Sequence, residues 1–188
     1  FSARKSLLLT DGGRSQNGDI TWNHKGDLIA YASTKRNGRD RDIYILNPLD
    51  PSSDRKIVEN EGGGWGIVAW SDDDSKILLQ EEISINESRL YIFDLVSGKK
   101  TKLLPEQNER NTYQGVAFSK DGKGLYLATT RENEFQRLAY FDFTGRKLTY
   151  LTSSIPWNVD LASISGDGTQ IAFVANENGT SRLYILQT

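Results

Sequence analysis

Short runs of β-branched, aromatic and aliphatic residues recur along the chain, each bounded by polar turns, and they recur in register. Ile20-Thr21-Trp22-Asn23-His24-Lys25-Gly26-Asp27-Leu28-Ile29-Ala30-Tyr31 aligns without a gap on Val68 to Leu79, on Val116 to Leu127 and on Ala162 to Phe173. The anchors Trp22, Trp70, Phe118 and Ile164 lie 48, 48 and 46 residues apart, a period that signals repeat architecture. Each copy reads as two strands joined by a polar turn such as Ser119-Lys120-Asp121-Gly122-Lys123. A third run follows at Ile43-Tyr44-Ile45-Leu46, Leu90-Tyr91-Ile92-Phe93, Leu138-Ala139-Tyr140-Phe141 and Leu183-Tyr184-Ile185-Leu186. A fourth follows in the first three copies, at Lys56-Ile57-Val58, Lys102-Leu103-Leu104 and Lys147 to Leu151. No segment sustains a 3.6-residue apolar period with capping signals, so helix content is expected to be very low.

A four-stranded meander cannot bury both of its faces alone, and stacking successive meanders around an axis does so. The expected fold is all-β: a β-propeller of four-stranded antiparallel blades in one region, 1–188. Residues 1–15 hold a leading outer strand, and repeats fall near 16–62, 63–110, 111–157 and 158–188, the last lacking its outer strand. The chain opens on the strand-like run Arg4 to Thr10, within which Leu7-Leu8-Leu9-Thr10 matches the fourth-strand position of a preceding blade. Two arrangements stay open: a four-bladed ring closed by that strand beside Leu183 to Leu186, or an arc of a larger propeller. The arc is favoured, because blade counts run from about four to eight and open edges are a liability. Two arcs meeting as a homodimer would cover such edges. Phe1 is not an initiator methionine and both ends fall in strand-like sequence, so the sequence reads as an excised piece.

Composition narrows the chemistry. The 188 residues are 37% hydrophobic and 26% charged, with net charge -2, one histidine and no cysteine or methionine. That balance gives no electrostatic footprint for nucleic acid or an anionic membrane, and no apolar run is long enough for a spanning helix. Disulfides, thiolate nucleophiles and cysteine- or histidine-clustered metal sites are excluded, and no cofactor is expected. The absence of cysteine leaves the compartment open.

The turns Ser119-Lys120-Asp121-Gly122-Lys123 and Ser165-Gly166-Asp167-Gly168-Thr169 are similar to the repeats of TolB-like propellers. Asp19 to Tyr44, with Thr34-Lys35-Arg36-Asn37-Gly38-Arg39-Asp40-Arg41-Asp42, resembles the N-terminal propeller of the prolyl oligopeptidase family, especially its acylaminoacyl-peptidase-like bacterial members. Glu61-Gly62-Gly63-Gly64-Trp65 and Ser84-Ile85-Asn86-Glu87-Ser88 support the same subgroup. The resemblance implies a propeller that caps an α/β-hydrolase with a serine, aspartate and histidine and restricts entry to short peptides. None of that hydrolase is in this sequence: it holds no Gly-x-Ser-x-Gly elbow, and its single histidine leaves no second candidate base. This chain is therefore expected not to hydrolyse peptides alone.

The remaining motifs are weighed against their plainer readings. His24 occupies the turn position held by Asp72, Lys120 and Gly166 in the other copies and is read as an exposed turn residue. Asp72-Asp73-Asp74 lacks the glycine and distant glutamate of a calcium loop and is read as a turn. Glu61 to Gly66 lacks the ending of a phosphate loop and is read as a connection between blades. Better candidates sit where loops converge on one rim, at 33–42, 80–89, 129–137 and 175–182. Arg89, Arg137 and Arg182 share one position before the third strand, held by Asp42 in the first copy. Pairing with a neighbouring blade loop is the plain reading, and a polar rim touching substrate or hydrolase the sharper one. Glu81 and Glu82 sit in such a loop. Paired glutamates in a propeller loop of dipeptidyl peptidases hold a substrate amino terminus, but no helical insertion surrounds them here, which favours solvated charge. Trp65 and Tyr113 align at the entrance to the innermost strand, where they narrow the channel mouth or pack on the adjacent blade. Asn86-Glu87-Ser88 and Asn178-Gly179-Thr180 are sequons.

The leading expectation is a propeller segment of a prolyl oligopeptidase-like serine peptidase, gating substrate access and docking to an absent hydrolase domain of the same parent. The alternative is a stand-alone TolB-like propeller that binds protein partners. A lectin-like propeller would need an aromatic and carboxylate pocket in each repeat, which the sequence does not show.

Overall fold

The computed structural model describes residues 6–10 and 13–188, and among these every regular element is a strand. The first sheet is β1 (Asn17–Trp22), β2 (Ile29–Ser33), β3 (Asp42–Asn47) and β4 (Asp50–Val58). The second is β5 (Gly64–Trp70), β6 (Lys76–Ser84), β7 (Glu87–Asp94) and β8 (Lys99–Leu104). The third is β9 (Tyr113–Phe118), β10 (Gly124–Thr129), β11 (Arg137–Asp142) and β12 (Lys147–Tyr150). The fourth has three strands, β13 (Val159–Ile164), β14 (Gln170–Glu177) and β15 (Thr180–Gln187). Within each sheet the strands follow chain order and pair antiparallel, so each is a meander.

The hairpin turns explain why the repeat is visible in sequence. In three sheets a serine hydroxyl donates to the aspartate two residues on: Ser71 to Asp73 at 2.6 Å, Ser119 to Asp121 at 2.8 Å and Ser165 to Asp167 at 2.6 Å. The same serine oxygen accepts the N–H five residues on, from Lys76, Gly124 and Gln170. Asn23 does this work in the first sheet, its Oδ1 accepting from Asp27 and Leu28 N–H. Each turn then needs a positive φ, met by Gly26, Gly122 and Gly168 at 70°, 68° and 76°, and in the second sheet by Asp74 at 59°.

Alternation along the strands gives every sheet two apolar faces, and the faces meet pairwise. Ala30, Ala32, Ile43 and Ile45 of the first sheet pack on Trp70, Ile77 and Leu79 of the second. Leu78 and Leu90 pack on Phe118, Leu125 and Leu127 of the third, and Tyr126 and Leu138 on Ile171 and Phe173 of the fourth. Burial of an aliphatic side chain stabilises by about 1.5–3 kcal/mol, so these three seams carry the fold. The innermost strands β1, β5, β9 and β13 all carry a register shift against their partners. A bulge on an edge strand spoils its ladder, which keeps four facing edges from pairing across the axis.

Two expectations are corrected, and of the two arrangements left open the favoured arc is the one observed. The strand-like run at Leu7–Thr10 is no strand, and it does not lie beside β15: residues 6–10 are irregular, with Leu9 packed on Ile29, Tyr31, Tyr44 and Leu46. Arg4 and Lys5, at the start of that run, lie outside the described residues. The sheets therefore form an open arc, not a closed four-bladed ring. The loops expected over 80–89 and 175–182 are largely strand, because β6–β7 and β14–β15 run on to tight turns at Ile85-Asn86 and Asn178-Gly179.

Candidate functional site

The inner strands of all four sheets line one cavity of about 360 Å³ along the common axis, with Thr21, Val68, Val116 and Ala162 on its wall. Its mouth on the hairpin-turn side carries His24, Asp72 and Lys120, the residues at one repeat position in successive sheets. These turns are latched to one another. Asp74 accepts the backbone N–H of His24 at 2.7 Å and of Lys25 at 3.1 Å, the Asn23 amide at 3.2 Å and lies 3.0 Å from His24 Nδ1. Burial opposes ionisation of Asp74, but the donors from His24 and Lys25 outweigh it and hold the carboxyl below its usual range. Lys120 pairs with Asp72 and lays its stem against Gly168, carrying the contact on to the fourth sheet. His24 is thus a half-exposed turn residue engaged in a seam.

The opposite end of the axis is charged as well. Arg41 pairs with Asp19 at 2.7 Å, and both line a cavity shared with Gln80, Glu82 and Gly115. Gln80 Oε1 accepts the Gly115 N–H at 3.0 Å, tying the second sheet to the third, and its amide donates to Glu82. Behind this end lies a buried network. Arg36 donates to Asp42 at 2.6 Å and to the Asn60 carbonyl at 2.7 Å, Asn60 N–H donates to Asp42, and Lys100 donates to Asn60. The Asp42 side chain is fully buried, and its hydrogen bond pushes Arg36 further up.

The structure separates the residues singled out from sequence. Glu81 and Glu82 are neighbours on β6 and face opposite sides: Glu81 is buried and accepts from Tyr91 at 2.8 Å, while Glu82 faces the axis. Arg89 pairs with Glu87 at 3.1 Å and stands 3.6 Å from Glu81. Arg137 stacks on Tyr150 at 3.8 Å and donates to the Arg131 carbonyl, and Arg182 pairs with Glu177 at 3.2 Å with 61% of its side chain exposed. All three arginines thus find partners within their own sheet. Trp65 is buried beside Tyr91, with Lys100 over its ring at 4.1 Å. Tyr113 is buried at the seam of the second and third sheets and donates to Glu109 at 2.6 Å, with burial and that carboxylate raising its pKa. Among the described residues no three His, Asp or Glu side chains gather to hold a metal. Sequence reasoning named Asp74 only as part of a turn and Asp42 only as a rim position, and it missed Asp19 and the Arg36–Asp42–Asn60 network, for which the density of arginine and aspartate over 36–42 was a signal.

Meander sheets fanned about a charged axial cavity define an arc of a β-propeller. Residues 59–188 match the family model described as the dipeptidyl peptidase IV N-terminal region, and the chain belongs to that family. It is 29% identical over 126 residues to dipeptidyl-peptidase 5 of Porphyromonas gingivalis, a stretch covering 62% of this chain and 18% of that relative. TolB from Acinetobacter baumannii superimposes with a TM-score of 0.73 at 18% identity, over 92% of this chain and 41% of that one. Prolyl oligopeptidase B from Galerina marginata does so with 0.71 at 11% identity, over 89% and 25%. These likenesses confirm the propeller fold, and the chain spans less than half the length of each of these three proteins.

Proposed function

We propose that this chain is the non-catalytic propeller part of a serine peptidase, restricting access to an α/β-hydrolase domain of the same parent and docking on it. The observation that carries the reading is the pair of neighbouring cavities on the inner strands, one walled by all four sheets and carrying His24, Asp72 and Lys120, the other carrying Asp19, Arg41 and Glu82. Such a passage selects by width and charge and supplies no nucleophile, in keeping with a sequence that has one histidine and no Gly-x-Ser-x-Gly. The family membership and the peptidase relative support it. Of the rim residues, Arg182 has the most freedom to meet a docked domain, followed by Arg89 and Glu82; Trp65, Tyr113, Glu81 and Arg137 support the rim from behind.

The test uses the polypeptide encoded by the gene. Lys120→Glu and Glu82→Lys should change KM for long charged peptides several-fold and leave turnover of a short chromogenic dipeptide unchanged, while the isolated 188 residues should hydrolyse neither. Equal effects on long and short substrates would refute gating. The second reading is a stand-alone propeller that binds protein partners without an enzyme, on the fold this chain shares with TolB. A gene that encodes no serine hydrolase with this chain would select it.

A further inference from the structure

The geometry points to a self-modification site at the tip of the β14–β15 hairpin: Asn178 loses its side-chain amide to attack by the backbone nitrogen of Gly179 and ends as isoaspartate or aspartate. The inference stands on the hairpin alone and is independent of the peptidase reading. The chain holds three Asn-Gly steps, at Asn17-Gly18, Asn37-Gly38 and Asn178-Gly179. Glycine leaves its nitrogen unshielded by a side chain, so all three are open to this chemistry in an unfolded chain.

The fold treats them differently. Asn37 is locked: its Oδ1 accepts the N–H groups of Arg39 at 3.0 Å and Asp40 at 2.9 Å, and its amide donates to Asp40 at 2.8 Å. The Gly38 N–H is engaged as well, donating to the Thr34 carbonyl at 2.7 Å. Asn17 lies in the β1–β2 ladder opposite Ser33, and Arg41 stands 3.0 Å from where a Cβ on Gly18 would sit. Asn178 and Gly179 are both exposed and form the two-residue loop beyond the last pair of the ladder, Glu177 and Thr180. Among the described residues the Asn178 amide has no partner, and nothing lies within 4 Å of where a Cβ on Gly179 would sit.

Both loop residues have positive φ, 50° and 83°, the twist that a tight hairpin requires. Glycine adopts it freely, whereas asparagine holds it under strain. Ring closure needs Asn178 to leave that conformation, and leaving relieves the strain. The opening is therefore cheap at Asn178 and costly at Asn37. One restraint remains: the Gly179 N–H donates to Asn176 Oδ1 at 3.0 Å. The Asp121-Gly122 and Asp167-Gly168 turns are closed to the equivalent step, because their carboxylates accept from Ser119 and Ser165 and their glycine N–H groups donate to the carbonyls of the same serines.

The reaction needs only water. The Gly179 nitrogen gives its proton to solvent and bonds to Asn178 Cγ, and the bond from Cγ to the amide nitrogen breaks as that nitrogen leaves as ammonia. The cyclic imide then adds water and opens at either carbonyl, to aspartate or to isoaspartate. The new carboxylate stands next to Glu177, which accepts from Tyr184 and pairs with Arg182 at 3.2 Å, and isoaspartate lengthens the loop by a methylene. The rim around Arg182 thus gains negative charge irreversibly as the protein ages.

The test holds the full polypeptide encoded by the gene, folded, in mildly alkaline buffer. Aspartate and isoaspartate are then counted at each site by mass spectrometry of a digest made in acid. Because Asn37 must break several more hydrogen bonds to react, loss at 178 is expected to run about 10-fold or more faster than at 37, and faster than at 17, with urea bringing the three rates together. Asn176→Ala, which frees the Gly179 N–H, should speed loss at 178 about 5-fold, the worth of one ordinary hydrogen bond. Comparable rates at 178 and 37 in the folded protein would overturn the proposal. So would an intact Asn178 in folded protein whose urea-unfolded form loses amide at all three sites, or slower loss in Asn176→Ala.

Discussion

The seam between the first two hairpin turns hangs on one carboxylate, and removing it has a calculable effect. Asp74 accepts two backbone N–H groups, from His24 at 2.7 Å and Lys25 at 3.1 Å, and does so from a left-handed backbone with φ of 59°. A hydrogen bond to a charged acceptor is worth about 1.5–3 kcal/mol, and because the donors sit at a rim where water replaces the lost acceptor, about 2 kcal/mol is assigned to the pair. Asp74→Ala also places an alanine in the left-handed region, adding about 1 kcal/mol. Asp74→Gly loses the same hydrogen bonds and recovers about 1 kcal/mol of backbone strain, as Gly26, Gly122 and Gly168 already do in the other turns. The expected order of stability is wild type, then Asp74→Gly about 1 kcal/mol below, then Asp74→Ala about 3 kcal/mol below. With about 2–4 °C per kcal/mol for a domain of this size, the Tm falls by about 2–4 °C and about 6–12 °C by calorimetry at pH 7. The pH dependence follows from the sign of the shift. The folded carboxyl lies below its unfolded value of about 3.9, so its contribution is complete above that pH and is lost as the pH falls through the folded value. The gap between wild type and Asp74→Ala should narrow as the carboxyl protonates, toward the about 1 kcal/mol of backbone strain that does not titrate. Equal Tm values for all three proteins at pH 7, or a gap unchanged at pH 2, would refute the latch.

Gly115 is approached by Leu78 and Val68, which a Cβ would meet at 2.9 Å and 3.0 Å, so Gly115→Ala should overpack the second seam and cost about 1–3 kcal/mol in a urea titration. No change in midpoint would show that the seam yields freely. Arg36→Ala strands the fully buried carboxylate of Asp42 with only the Asn60 N–H and should cost about 3 kcal/mol or more, whereas Arg39→Ala, at an 80% exposed side chain, should cost under about 1 kcal/mol. Equal losses from the two would place the clamp elsewhere. Serine hydroxyls and turn N–H groups hold Asp73, Asp121 and Asp167 below the ordinary carboxylate range, Asp167 at about 2. Depressed folded values mean stability present above about pH 4 and lost on acidification, so a Tm that stays flat from pH 4 to pH 2 would contradict the turn geometry.

Much of the architecture was legible because the repeated turns are chemically explicit. Ser71-Asp72-Asp73, Ser119-Lys120-Asp121 and Ser165-Gly166-Asp167 each announce a hairpin, and the apolar alternation on either side announces its strands. The rim ends of β6 and β14 were not legible. Gln80-Glu81-Glu82 reads as loop by polarity, yet Glu81 is buried against Tyr91 and Gln80 bonds to the next sheet, so tertiary partners override composition. Asp50 to Ser53 joins β4 for a similar reason: Ser53 accepts the Asn47 N–H and donates to the Asp50 carbonyl, local bonds that no strand propensity reveals. The apolar run at Leu7–Thr10 pairs with no strand among the described residues; Leu9 packs on the first sheet while Leu7 and Leu8 are exposed, a placement that alternation cannot distinguish from pairing.

What sequence periodicity hides is carried by departures from it. His24, Asp72, Lys120 and Gly166 occupy one repeat position, and an average over repeats would assign that position no chemistry. Because they differ, adjacent sheets bond through complementary partners: Asp72 takes Lys120, and Asp74, standing where the other turns have glycine, takes the His24 turn. Identical residues there would set like charges around a narrow mouth and repel. Glycine at 168 instead lets the Lys120 stem approach the last turn closely. At the other end Asp19, also at positive φ, meets Arg41 of its own sheet and comes within 2.9 Å of where a Cβ on Gly66 would stand. The substitutions that break the repeat thus latch neighbouring sheets and charge both ends of the cavity. A propeller whose four turns were made identical would keep its blades and lose both the latch and the selectivity proposed for the passage.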